Sequence, residues 1–199
     1  MTRIIICRHG NTFDKGDIVT RVGARTDLPL STSGREQAKN LAEELSGFSF
    51  TKAYCSPLAR TQQTAAAIID SNTSLETLEF LTEIDYGVDE NKPETEVIAR
   101  IGQEAIDLWD QKAIAPTAWN VDAPALIQAW QDFFETHRNS GEDILVVTSN
   151  GIARFVLDTL EDIPAGTPRK LRTGAFGLVE LDTDNMKLTY WDKRHLLDS

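Results

Sequence analysis

The sequence predicts an α/β protein, a three-layer α/β/α sandwich with a mainly parallel central sheet. Short runs of mostly β-branched residues, at positions 4–7 and 144–148, are typical of strands that are buried on both faces. Stretches with the apolar spacing of helices follow these strands, and such alternation is typical of a parallel sheet covered by helices. With 199 residues, 41% of them hydrophobic and 26% charged, the chain fits one domain with a substantial core.

The predicted strands and helices follow one another along the chain. The strands are expected at residues 4–7, 52–55, 75–81, 144–148, 176–181 and 187–191, and the helices at residues 34–45, 58–70 and 152–160. Ser33 and Glu36 have the spacing of a capping box at the start of the first helix. Ser56 and Pro57 predict a cap and a proline at the first position of the second helix.

Residues 88–139 differ in character from the rest of the chain, because they are acidic, aromatic and helical in pattern. Pro116 and Pro124 are expected to break this region into at least two helices. We expect a helical cap or insertion over the strand ends, with its tryptophans packed inside. No linker-like composition separates it, so residues 1–199 are predicted to form a single domain.

Charge and apolar content exclude several classes of partner. The formal net charge of −11 argues against binding to nucleic acids or anionic membranes, which requires clustered Lys and Arg. No apolar run approaches membrane-spanning length, and the first residues lack the pattern of a signal peptide. Cys7 and Cys55 are expected to be buried and reduced, as in a cytoplasmic protein.

Polar residues follow two of the predicted strands, where an open α/β sheet binds its ligands. Arg8-His9-Gly10 closes the first strand, and Ser149-Asn150-Gly151 closes the strand at 144–148. Arg60 lies in the first turn of the second helix, where a cation opposes the positive end of the helix dipole. A bound anion explains that position better than a solvated surface does. These residues predict an anion site.

Four motifs, in the same order, resemble those of the histidine phosphatase superfamily, whose members include phosphoglycerate mutase-like enzymes. They are Arg8-His9-Gly10-Asn11-Thr12, the stretch from Gly23 to Ala38, the stretch from Ser56 to Ala65, and the stretch from Leu81 to Gly87. The resemblance covers most of the chain outside residues 88–139. One position departs from the family pattern, because its last motif, Ser-His-Gly, here has Asn150 in place of the histidine.

The resemblance implies a phosphomonoester hydrolase that works through a phosphohistidine. His9 would be the nucleophile, because a neutral imidazole brings no negative charge to a phosphate dianion. Glu83 would protonate the leaving alkoxide and then activate water. Charge-assisted hydrogen bonds would hold the phosphoryl oxygens. The predicted phosphate-binding residues are Arg8, Arg60, Asn150, Asn11 and Gly23.

Asn150 decides how active such an enzyme is expected to be. Its amide can donate a hydrogen bond to phosphate but carries no charge. Removing a donor altogether costs about 10²–10³ in rate, and a neutral donor should cost less than that. We therefore expect a working but weakened phosphatase. The alternative is a phosphate-binding or regulatory protein that has lost turnover.

Other chemistries are less well supported. Cys55 and Arg60 are one residue too close for a cysteine-dependent phosphatase loop. His9, His137 and His195 lack the spacing of metal ligands, so neither a metal nor a cofactor is expected. Mutase activity is disfavoured because residues 88–139 are acidic and lack the arginine-rich insertion that the family's mutases use.

The expected partner is a small phosphorylated substrate. Its identity is left open, and specificity is expected from residues 88–139 and from the loop around Arg21 and Arg25. The oligomeric state is also open, with a homodimer among the alternatives.

Overall fold

The computed structural model describes residues 1–194, which fold around one six-stranded sheet. The strands are β1 (Thr2–Arg8), β2 (Phe50–Cys55), β3 (Ser74–Thr77), β4 (Asp143–Thr148), β5 (Phe176–Leu181) and β6 (Met186–Lys193). Their order across the sheet is β3-β2-β4-β1-β5-β6. The first four of these in that order run parallel, and β5 and β6 add an antiparallel edge. The mainly parallel sheet is confirmed.

Helices cover both faces of this sheet. They are α1 (Thr32–Glu44), α2 (Ala59–Ile68), α3 (Glu94–Ile101), α4 (Gln103–Lys112), α5 (Ala123–His137) and the single turn α6 (Asn150–Ala153). Side chains of β1 alternate between two cores, as strand geometry requires. Ile5 and Cys7 belong to the core that includes residues of α1 and α2, whereas Ile4 and Ile6 belong to the core that includes residues of α5. The three-layer sandwich is confirmed.

The register of β1 and β4 brings the two polar strand ends together. Arg8 pairs with Thr148 in the parallel ladder, and the His9 N–H donates to the Thr148 carbonyl at 3.1 Å. The residues that follow each strand therefore leave the sheet side by side. This placement is what the rule for ligand sites in open α/β sheets predicts.

Residues 88–139 divide into two parts with different surroundings. Trp130, Phe133 and Phe134 of α5 pack in the same core as Ile4 and Ile6, so α5 forms part of a sheet face. The shorter helices α3 and α4 lie nearer the carboxyl ends of the strands. Pro124 lies in the first turn of α5, where its missing N–H breaks no helical hydrogen bond.

The strand expected at residues 75–81 is shorter than predicted. Strand β3 ends at Thr77, and Glu79–Leu81 is a 3-10 helix. The last contact with β2 is the hydrogen bond from the Leu78 N–H to the Cys55 carbonyl at 2.9 Å. The chain then turns inward, and the Leu81 carbonyl accepts from Thr148 Oγ1 at 2.7 Å.

Two predicted helix starts and one predicted helix need correction. Ser31, not Ser33, caps α1, because its hydroxyl accepts the Gly34 N–H at 3.1 Å. Helix α2 begins at Ala59, after Leu58 as N-cap, so Pro57 lies outside it.

The helix expected at 152–160 is α6 followed by a 3-10 helix, Arg154–Thr159. Arg154 Nε donates to the Asn150 carbonyl at 3.1 Å, and Thr159 Oγ1 donates to the Val156 carbonyl at 2.7 Å. Side chains thus compete there for the carbonyls that an α-helix would use.

Both cysteines are buried free thiols, as predicted, and burial raises the pKa of each. Among residues 1–194, no helix has the length and apolar content needed to cross a membrane.

Candidate active site

A cavity of about 750 Å³ opens at the carboxyl ends of β1 and β4. Its walls include Arg8 and His9 after β1, Asn150 after β4, and Glu83 from the segment that follows β3. Four of the sequence-predicted residues therefore share one cavity, and Asn11 also lines it. Arg60 and Gly23 do not line the cavity. Arg60 contacts His9 from behind the cavity wall, and Gly23 contacts Arg60.

His9 is buried, and its contacts define its tautomer. Its Nδ1 lies 2.7 Å from the Gly10 carbonyl, and its Nε2 lies 3.2 Å from Nε of Arg60. A guanidinium only donates, so Nε2 is the acceptor and Nδ1 carries the proton. Burial, with Arg60 and Arg8 adding repulsion, lowers the pKa of His9 well below its usual value. The imidazole is therefore neutral, and the electron pair of Nε2 accepts the Arg60 Nε–H.

Arg60 is fully buried in the first turn of α2, so it is not a solvated surface residue. Its two terminal nitrogens donate to the carbonyls of Thr26 at 2.9 Å and Gly23 at 3.3 Å. Burial lowers its pKa. The side chain is thus fixed by backbone groups, with its remaining Nε–H directed at His9.

Gly23 holds Arg60 in place. Its carbonyl accepts from Arg60, and its N–H donates to Glu90 Oε1 at 3.0 Å. A Cβ at this position would overlap Glu90 Oε2, so the close approach requires glycine. The same carboxylate also accepts from Thr26 Oγ1 and the Tyr86 N–H, which makes Glu90 an organiser of this loop that sequence reasoning missed.

Arg8 and Asn150 meet at the backbone of Leu171. Arg8 donates to the Leu171 carbonyl at 2.9 Å, while the Leu171 N–H donates to Oδ1 of Asn150 at 2.9 Å. The Nδ2 amide N–H groups of Asn150 therefore remain available to donate to a ligand. The Nε atom of Arg8 is buried without a hydrogen-bond partner in the described part of the chain. Both side chains keep donors for an anion.

Glu83 is buried, and from the described residues it accepts only backbone hydrogen bonds. Its Oε1 accepts from the Ile84 N–H at 3.0 Å, and its Oε2 accepts from the Gly151 N–H at 3.3 Å. A Cβ on residue 151 would overlap Oε1, so the glycine after Asn150 allows this approach. The acid predicted from the motif Leu81 to Gly87 is thus joined to the motif Ser149-Asn150-Gly151.

Asn11 is held at the rim by α1. Its N–H donates to Gln37 Oε1 at 2.8 Å, and its Nδ2 donates to Ser33 Oγ at 3.2 Å. Its carbonyl accepts from the Ser31 N–H at 2.9 Å. Asn11 thereby ties the motif after β1 to the start of α1.

Several cavity residues were missed by sequence reasoning. Helix α4 contributes Trp109 and Asp110, helix α3 contributes Glu94, and the chain after Asn150 contributes Arg154. Only Arg154 carried a sequence signal, because it lies four residues, about one helical turn, after Asn150.

The two loop arginines expected to give specificity are placed differently. Arg21 lines the cavity, pairs with Glu94 and lies 4.8 Å above the Trp119 ring. Arg25 is outside the cavity wall and pairs with Asp85 at 3.0 Å.

The histidines other than His9 lie elsewhere or outside the described residues. His137, at the end of α5, packs against the rings of Tyr54 and Phe133. His195 lies outside the described residues. Within residues 1–194, no group of three or more His, Cys, Asp or Glu side chains is placed to hold a metal ion.

Comparison with known proteins shows the family of this chain. The family model of the histidine phosphatase superfamily (branch 1) matches residues 4–193. A 2,3-bisphosphoglycerate-dependent phosphoglycerate mutase of Porphyromonas gingivalis is 30% identical over 131 residues, which are 62% of this chain. That match spans about half, 52%, of the relative's length.

A probable phosphoglycerate mutase, GpmB, of Yersinia pestis is 27% identical over 195 residues, which are 92% of this chain and 85% of the relative. Among solved structures, a mycobacterial glucosyl-3-phosphoglycerate phosphatase has a TM-score of 0.75 and 17% identity. That likeness covers 97% of this chain and 99% of the other, and it shows a shared fold. The match of the family model over nearly the whole chain shows that this protein belongs to the histidine phosphatase superfamily, branch 1.

Proposed function

We propose that this protein hydrolyses small phosphomonoesters through a phosphohistidine on His9. The observation that carries the proposal is the neutral imidazole, whose unprotonated Nε2 lies 3.2 Å from the buried Arg60 guanidinium. A nucleophile in the cavity wall thus has a buried cation directly beside it. An attacking group without negative charge suits a phosphate dianion, and covalent catalysis divides one displacement into two easier steps.

In the first step, His9 Nε2 attacks phosphorus and the bond from phosphorus to the ester oxygen breaks. Glu83 acts as the general acid and gives a proton to the leaving alkoxide. Arg8, Asn11 and Asn150 Nδ2, which line the cavity, donate to the phosphoryl oxygens. Arg60 transfers the hydrogen bond that its Nε–H now gives to His9 Nε2 to a phosphoryl oxygen, which frees Nε2 for attack. Gly23 contributes by holding Arg60. Charge-assisted hydrogen bonds of this kind are worth about 1.5–3 kcal/mol each.

In the second step, water attacks the phosphohistidine and Glu83 takes up its proton. The bond between phosphorus and Nε2 breaks, which releases inorganic phosphate and regenerates the neutral imidazole. The Ile84 and Gly151 N–H groups, at 3.0 and 3.3 Å from its oxygens, keep the Glu83 carboxyl group in one position for both steps.

Hydrolysis is preferred to mutase activity because of what the helices over the cavity contribute. Helices α3 and α4 add two carboxylates, Glu94 and Asp110, and no cation to the cavity wall. A mutase must hold a substrate with a second anionic group or a bisphosphorylated donor, which favours additional unpaired cations. In this wall Glu94 pairs with Arg21, and Asp110 pairs with Arg154 and Lys170. Two relatives are named as phosphoglycerate mutases, so transfer of the phosphoryl group to an acceptor other than water is the alternative to test.

The experiment is an assay of phosphate release from p-nitrophenyl phosphate and from a panel of phosphorylated metabolites, with added chelator. We expect His9→Ala to lower kcat/KM by on the order of 10³-fold or more, because the nucleophile is lost. The wild-type enzyme, quenched during turnover, should carry an acid-labile phosphoryl group that His9→Ala lacks. His137→Ala is a matched control, because this second histidine lies on α5 away from the cavity wall.

The outcomes separate the proposal from its alternatives. Wild-type activity in His9→Ala would refute the nucleophile assignment. Binding of inorganic phosphate, measured by calorimetry, without any turnover would instead favour a phosphate-binding protein. Transfer of the phosphoryl group to an added alcohol acceptor, in place of water, would favour a mutase.

A further inference from the structure

A second group of charged residues lies in the cavity wall beside Asn150. Lys170 Nζ lies 2.7 Å from Asp110 Oδ2, and a terminal nitrogen of Arg154 lies 3.7 Å from Asp110 Oδ1. All three side chains line the cavity. We call them the charged triad. Since one carboxylate serves two cations, the triad carries a net positive charge.

Arg154 is the buried member of the triad and is held firmly. Its side chain is 1% exposed, and its guanidinium carbon lies 3.8 Å from the centre of the Trp109 ring. Its Nε donates to the Asn150 carbonyl at 3.1 Å, and another of its nitrogens donates to the Trp109 carbonyl. Within residues 1–194, the third nitrogen has only the Asp110 carboxylate nearby, at 3.7 Å, which is beyond hydrogen-bond distance. One donor of a fixed, buried cation is therefore spare.

This cation remains charged at neutral pH and is close enough to affect the reacting groups. Burial lowers the pKa of Arg154 to about 10. Glu83, Tyr86, Asp110 and Arg8 are the charged or titratable groups that interact with it electrostatically. Buried charges are poorly screened, so its field extends over the site where a phosphoryl group would be held.

We propose that Arg154 supplies the positive charge that the amide of Asn150 cannot give to a bound phosphoryl group, with Asp110 moderating that charge. Asn150 and Arg154 then divide one task. The amide donates the hydrogen bond, and the guanidinium one turn later orients the backbone of residue 150 and stabilises the dianion. The inference rests on the proposed function, because it concerns the phosphoryl group held at His9.

The decisive experiment uses Asp110→Asn, because the proposal predicts a gain for it. The carboxylate competes with the ligand for Arg154, so its removal should increase the affinity for inorganic phosphate by about threefold to tenfold. Arg154→Gln should weaken phosphate binding by a similar factor and lower kcat/KM for p-nitrophenyl phosphate. Lys39→Gln is the control, with less than a twofold change, because this side chain lies on α1 outside the cavity wall and is 72% exposed.

Phosphate affinity is measured by calorimetry in the wild-type and in the His9→Ala background, where binding needs no turnover. A gain in Asp110→Asn in both backgrounds supports the inference. Unchanged or weaker phosphate binding in Asp110→Asn overturns it, even if Arg154→Gln fails to fold. If His9→Ala loses turnover but Asp110→Asn leaves the phosphate affinity unchanged, the proposed role of Arg154 is refuted and the proposed function stands. Full activity of His9→Ala would refute the proposed function itself.

Discussion

The two halves of the cavity are held together by different kinds of interaction. The inner half, at the strand ends, consists of Arg8, His9, Glu83 and Asn150, with Arg60 of α2 in contact with His9 from behind the wall. The outer half, contributed mainly by α3, α4 and loops, includes Arg21, Glu94, Trp109, Asp110 and Lys170.

Backbone groups fix most of the inner side chains. The Gly10 carbonyl holds His9, the Gly151 N–H holds Glu83, and Leu171 holds both Arg8 and Asn150. Ion pairs between side chains hold the outer half instead, as in the pair of Arg21 with Glu94. Backbone positions are set by the fold, whereas a side-chain pair depends on both partners. The inner half is therefore suited to fixed chemistry and the outer half to specificity.

The largest effect is expected in the inner half, at Glu83. Glu83→Gln keeps an oxygen for the Ile84 N–H but cannot transfer a proton, so we expect kcat/KM for an alkyl phosphate to fall by about 10²–10⁴-fold. The loss should be smaller for p-nitrophenyl phosphate, because its leaving group needs less protonation. Steady-state kinetics on the two substrates measure the difference.

Glu79→Gln is the control for this substitution, because Glu79 is an exposed carboxylate on the preceding 3-10 helix. It should leave both rates unchanged. An equal loss on the alkyl and aryl substrates in Glu83→Gln would contradict the role of Glu83 as general acid.

A smaller effect, mainly on KM, is expected in the outer half. Arg21→Gln leaves Glu94 unpaired at the cavity wall, and the added negative charge should raise KM for a phosphomonoester by about fivefold. The value of kcat should change little, since Arg21 makes no hydrogen bond to His9 or Glu83. Kinetics across the metabolite panel measure both constants.

Arg25→Gln separates this effect from a general change in charge. This substitution removes the same charge from the same loop. Arg25, however, pairs with Asp85 outside the cavity wall, and 57% of its side chain is exposed. We expect less than a twofold change in KM. If the two variants behaved alike, the cavity position of Arg21 would have no special importance for substrate binding.

The same division explains what the sequence could predict. The inner residues stand in short motifs at strand ends, so Arg8, His9 and the Asn150 position followed from hydrophobic runs and local order. Arg60 was predicted because its position opposes the helix dipole. No local pattern joins Lys170 to Asp110, which are 60 residues apart, or Arg21 to Glu94, which are 73 apart. Such pairs exist only once the chain has folded.

The smallest effect is expected where the two halves meet, at Asn150. In Asn150→His, the Leu171 N–H that now donates to Oδ1 at 2.9 Å would require an unprotonated ring nitrogen. The nearby cations Arg8 and Arg154 also disfavour a charged imidazole. The new side chain would then be a neutral donor, as the amide is, and we expect kcat/KM to stay within about threefold of the wild type from pH 5 to pH 8.

A charged imidazole at position 150 would instead give a rate gain that grows as the pH falls through the pKa of the ring. A tenfold gain of that form would show that the site lacks a positive charge, and it would count against Arg154 as the residue that provides one. If Asn150→His gives no gain in kcat/KM and Asp110→Asn binds phosphate more tightly, the positive charge at the phosphoryl site is already supplied by Arg154.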